Sequence, residues 1–141
     1  MIRTASPRLL AGAAILVLAA ACASPSSQGD AEQTLCNSLT AFGDSVQTIA
    51  DFDPATDSID DLQADASAAN DAWDQVKTDA AAVSSADDAA LDAAWSELYD
   101  SITNIATDVP AADAKDQIAS SVTNVQSVYD EMRNGLGCSG S

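Results

Sequence analysis

Three thiols, 22 carboxylates and no imidazole are the groups with which this 141-residue chain must do any chemistry. Without histidine there is no Ser-His-Asp or Cys-His nucleophile, no histidine-ligated zinc and no Glu-x-x-His site of a carboxylate-bridged metal bundle, because each needs an imidazole as base or ligand. The chain also lacks a Ser-x-x-Lys pair, a glycine-rich phosphate loop and a nucleophile elbow. No catalytic residue and no cofactor is assigned, and the chain is read as non-enzymatic. The cysteines and the carboxylates remain to be explained.

The carboxylates are densest where Asp51, Asp53, Asp57, Asp60 and Asp61 fall together, and oxygen-rich loops are what calcium binds. Counted from Asp51 as an EF-hand, the sixth position is Thr56 where glycine is needed, and the twelfth is Leu62 where a bidentate glutamate is needed. The alternative is capping: Asp57, Asp60 and Asp61 stand where a helix should start, and negative charge there complements the helix macrodipole. Asp87 with Asp88, and Asp113 with Asp116, repeat the arrangement. Capping is the preferred reading, with Asp51, Asp53 and Asp57 kept as candidates for a weak cation site.

Cys22 closes a distinctive N-terminal run. Arg3 and Arg8 lead into the apolar stretch Leu9 to Leu18, followed by Ala19-Ala20-Ala21-Cys22. A basic start, a short apolar stretch and small residues before a cleavage point make a secretory signal peptide. The apolar stretch is shorter than the ~20 residues that a membrane-spanning helix needs. On Leu18, Ala19, Ala20, Ala21 and Cys22 the chain resembles the bacterial lipoprotein class, although its leucine falls one place earlier than is usual there. Its Ala- and Asp-rich composition also resembles small lipoproteins of high-GC Gram-positive bacteria. The resemblance implies that residues 1–21 are removed and that Cys22 carries diacylglycerol and palmitate. It also implies that the protein sits at the outer face of the cytoplasmic membrane, contacting the bilayer through the lipid. Ordinary secretion is the alternative, since Ala21-Cys22-Ala23 also fits an A-x-A cleavage site. Parity favours the lipid: an odd thiol in an exported chain needs an explanation, and lipidation of Cys22 leaves Cys36 and Cys138 as an even pair where disulfides persist.

Loss of the signal removes Arg3 and Arg8 from a chain of net charge −17, leaving Lys77, Lys115 and Arg133 against 22 acids, or −19. Such a surface repels phosphate backbones and anionic headgroups, which are held by clustered Lys and Arg. Nucleic acid is excluded as a partner.

What positions these groups is a set of helical stripes. Residues 22–30 read as a lipidated cysteine and flexible tether, and the domain is expected over 31–138. Leu35, Leu39, Phe42, Val46, Ile49 and Phe52 recur at helical spacing. Asp30 with Gln33 is a possible cap, and Asp53-Pro54 a stop. Ile59, Leu62, Ala66, Ala69, Trp73, Val76, Ala80 and Val83 alternate steps of 3 and 4 as a heptad seam. Ser85 with Asp88 resembles a capping box. Leu91, Trp95, Leu98, Ile102, Ile105 and Val109 form the third stripe; Ile118, Val122, Val125, Tyr129, Met132 and Leu136 the fourth, with Val128 beside it. Pro110 separates these two stripes, and Gly135 or Gly137 offers a left-handed C-cap. The spacing predicts helices over about 31–52, 57–84, 86–109 and 111–135.

Short connections imply antiparallel neighbours, so the expected fold is all-α: an up-down-up-down four-helix bundle. That topology brings the start of the first helix and the end of the fourth to one end, with Cys36 and Cys138 close enough to bridge. A disulfide there would clamp the termini at the membrane-proximal end. Trp73, Trp95 and Tyr129 are expected to share a core layer rather than to line a ligand pocket. The functional expectation is a lipid-anchored bundle that binds a protein or serves the cell envelope structurally. The alternative is a low-affinity binder of divalent cations or cationic ligands using the acidic surface.

Overall fold

The computed structural model describes residues 25–138. The expected signal peptide and Cys22 lie outside the described residues. Four helices follow in order: α1 (Pro25–Ala50), α2 (Ile59–Ala80), α3 (Ala89–Thr103) and α4 (Ala111–Gly135). There is no strand among the described residues. Helix α1 packs extensively on α2 and α3 on α4, while thinner α1–α4 and α2–α3 seams close the ring. The protein is the expected four-helix bundle, in which sequence neighbours are spatial neighbours and the last helix returns to the first.

The helix ends differ from those the spacing predicts. Helix α1 starts at Pro25, so residues 25–30 are helical where a tether was expected, and Asp30 lies inside the helix instead of capping it. Extending an existing helix costs only propagation, not nucleation, and proline's fixed φ suits the first helical position. Gln28 Nε2 also donates to Ser84 Oγ at 3.0 Å, tying the first turn to the α2–α3 connection. Farther along, α1 carries many hydroxyls that compete with helical structure. They are accommodated by donating to carbonyls four residues back: Thr34 to Asp30, Thr40 to Cys36, Ser45 to Ala41 and Thr48 to Asp44.

The capping box is made at Ser58, not at Ser85. The Asp61 N–H donates to Ser58 Oγ at 3.2 Å while the Ser58 N–H donates to Asp61 Oδ2 at 2.9 Å, so each satisfies the other's free donor. Before α3 the chain instead runs through turns in which Val83 N–H donates to Ala80 and Ala86 N–H to Val83. Asp88 is the N-cap residue and makes no side-chain cap. Val83 stays in the core from outside any helix. Helix α3 ends at Thr103 rather than near Val109, yet Ile105 is buried in the following connection. Pro110 opens α4.

All four stripes face one core. Each predicted seam residue is buried except Val109, Tyr129 and Leu136, which are half-buried with Val128 around its rim. Ala94, Ala114 and Ser121 join the core as well. Ala66 and Ala69 are fully buried, and α1 and α2 form the most extensively packed pair.

Candidate functional site

Two features bear on function: the clamp at one end of the bundle and the acidic turn at the other. The clamp begins with a helix stop. Gly137 has a φ of 68°, a left-handed conformation that glycine adopts without Cβ strain. It directs the Cys138 N–H onto the Arg133 carbonyl at 3.0 Å and the Gly137 N–H onto Asn134 at 3.1 Å, the paired bonds of a Schellman motif. Of the two glycines that offered a C-cap, Gly137 is the one used. The reversal returns Cys138 over α4 toward α1, where it bridges Cys36 with a Cα–Cα distance of 5.6 Å across 102 residues of sequence. The expected pair is therefore a disulfide, half-buried on both sides.

At the other end, the carboxylates of the 51–58 connection are already engaged. The Asp53 N–H donates to Asp57 Oδ2 at 2.8 Å, the Ala55 N–H to Asp53 Oδ1 at 2.9 Å, and Gln47 Nε2 to Asp51 Oδ1 at 2.9 Å. Asp51, Asp53 and Asp57 thus bind the backbone and a neighbouring side chain, and do not converge on a common point. No group of three or more Cys, Asp or Glu among the described residues is arranged to hold a metal ion. The Ser58 hydroxyl and N–H hold the Asp61 carboxyl below its ordinary pKa. One turn on, partial burial pushes Asp65 up, and the charges of Asp61 and Asp57 add to that shift.

The same end carries two caps between helices that local spacing does not reveal. Lys115 Nζ on α4 donates to the Phe52 carbonyl at 2.8 Å, just past the C-terminus of α1. Gln63 Nε2 on α2 donates to the Ile105 carbonyl at 3.1 Å, just past α3. Cations and donors near helix C-termini satisfy free carbonyls. Lys77 pairs with Asp74 at 2.7 Å, a hydrogen bond that raises its pKa. Arg133 lies over the Tyr129 ring at 5.6 Å.

The aromatic residues form core, with Phe42 as the hub. Its ring centroid is 5.2 Å from Trp73, 5.3 Å from Trp95 in an edge-on contact, and 6.4 Å from Tyr129. The expected layer of Trp73, Trp95 and Tyr129 is thus assembled through a fourth ring, from α1. Both indoles are buried with their N–H groups satisfied: Trp73 donates to Asp92 Oδ1 at 2.8 Å and Trp95 to Asn70 Oδ1 at 3.2 Å. Tyr129 enters the layer because position 43 is glycine. A Cβ there would stand 2.6 Å from the tyrosine Cζ, closer than atoms can approach. Burial raises the pKa of the Tyr129 hydroxyl. A shallow surface groove of about 260 Å³ lies between Ser85, Ala90, Val128 and Met132.

Comparison with known proteins found no matching family model, no similar curated protein and no similar solved structure.

The acidic surface gives a direct test. Like charges one helical turn apart each cost a few tenths of a kcal/mol (~0.2–0.5) in an exposed helix, and the charges of Asp61 and Asp57 add to the upward shift that burial gives Asp65. Sodium chloride should therefore raise the melting temperature by screening. Calcium should do no more than its ionic strength accounts for, because Asp51, Asp53 and Asp57 are engaged within the turn. Calorimetric melting in both salts checks this. A calcium shift that saturates, and disappears when the three aspartates become asparagine, would reveal a ligand bound only to the native state.

Proposed function

We propose that the mature protein is a lipid-anchored, non-enzymatic helical bundle at the outer face of the cytoplasmic membrane, presenting its surface to a protein partner or serving the envelope structurally. The carrying observation is the run from Arg3 through Leu18-Ala19-Ala20-Ala21 to Cys22. The disulfide strengthens it, because Cys36 and Cys138 consume one another, and Cys22 is then the odd thiol that lipidation explains. The non-enzymatic reading is supported by the position of the acids. None of the 22 is buried, so no carboxylate pair stands in a desolvated site where acid–base chemistry is tuned.

Expressed in a bacterium with its own signal, the protein should fractionate with membranes and incorporate labelled palmitate. Cys22→Ser should abolish both. Continued labelling of the serine variant would remove the basis of the proposal.

A further inference from the structure

We infer that on the membrane the bundle stands on its disulfide end, with its helices raised from the bilayer and the 51–58 and 104–110 connections facing away. This rests on the proposed anchor at Cys22. Only Ala23 and Ser24 separate that residue from Pro25, where α1 begins. Three residue steps of fully extended chain span about 10 Å, so the start of α1 cannot leave the acylated residue by more than that. The leash is attached to a fixed corner. Gln28 bonds the first turn of α1 to Ser84, and the Cys36–Cys138 bridge holds the end of α4 beside it. From that corner the 26 residues of α1, at 1.5 Å each, carry the chain about 39 Å to the opposite end.

Nothing on the sides of the bundle favours lying flat. Every helix exposes acids along its length, among them Asp44 on α1, Asp71 on α2, Glu97 on α3 and Asp116 on α4, so any side turned toward an anionic leaflet is repelled. The three cations are engaged by Asp74, the Phe52 carbonyl and the Tyr129 ring and form no basic patch. Within residues 27–138 the only exposed side chain that is apolar and larger than alanine is Pro110, in the connection at the far end, so the sides of the bundle offer little to drive insertion at the interface. Repulsion then acts on the whole bundle while the leash holds one end. The 51–58 and 104–110 connections then stand about 39 Å from the anchored end, by the length of α1.

The test sets the anchor chemically. In the mature chain from Cys22, which contains the whole described bundle, Cys22 is the only thiol outside the disulfide. It can be coupled without reductant to maleimide-bearing lipid in vesicles of phosphatidylcholine and phosphatidylglycerol. A fluorescent amino acid is placed at exposed Ala82, at the disulfide end, or at exposed Ala55, at the other, with rhodamine lipid as acceptor. Energy transfer should be several-fold stronger from position 82. A long glycine–serine linker inserted between Ser24 and Pro25 should erase most of the difference. Equal transfer from the two positions, stronger transfer from position 55, or a difference untouched by the linker would each overturn the inference. Because the coupling is chemical, these results do not depend on whether a cell acylates Cys22, which palmitate labelling decides separately.

Discussion

Replacing Cys36 and Cys138 together by serine should lower stability by about 4–5 kcal/mol while leaving the domain helical. The bridge joins residues 102 apart, and in the chain-entropy account closing so long a loop in the unfolded state is worth that much. In a domain near this size the loss corresponds to a fall in melting temperature on the order of 20 °C. The native fold should survive at low temperature, because the four stripes bury their apolar faces with or without the bridge. Circular dichroism melts of the double variant and of the reduced native protein should agree, since both remove the same constraint. Under non-reducing conditions the native domain should weigh two hydrogens less than after reduction. Two titratable thiols in the air-exposed bundle, or a variant melting at the native temperature, would contradict the clamp.

The second large effect belongs to Phe42. Its side chain is fully buried, and its ring is the contact common to Trp73, Trp95 and Tyr129. Phe42→Ala should cost about 3–5 kcal/mol, the range for truncating a buried aromatic and leaving a cavity. Phe42→Leu should cost markedly less, because most of the volume is retained. Near-ultraviolet circular dichroism should separate a local from a global loss. The tryptophan bands depend on the fixed packing of both indoles and should weaken in the alanine variant while the far-ultraviolet helical signal persists. Unchanged tryptophan bands and a loss under 1 kcal/mol would mean that the two indoles hold their layer without the α1 ring.

The helical class, the stripe residues and the cysteine pair were legible in the order of the residues. Each is encoded in one dimension: the 3–4 spacing of Ile59 through Val83 repeats whatever the helix packs against, and an up-down topology brings Cys138 to the end of the bundle where Cys36 lies. The departure of residues 51–62 from the EF-hand pattern is a matter of residue types alone, since Thr56 and Leu62 occupy positions that glycine and glutamate must fill. Helix ends were less legible. A break in periodicity shows that a turn exists but not where hydrogen bonding stops, and so α1 reaches back to Pro25 and α3 stops at Thr103 with Ile105 still buried.

Which polar groups meet depends on how the helices pack. Asn70 accepting from Trp95, Asp92 from Trp73, Lys115 capping the end of α1 and Gln63 the end of α3 all join different helices. Each contact depends on the axial register and rotation of two helices, and neither can be read from the spacing within one. Gly43 is of the same kind. As a sequence position it is a weak helix former, and its reason is the Tyr129 ring that crosses from α4. A stripe records that a residue faces inward; what it meets there is fixed only when all four helices close on a shared, densely packed interior.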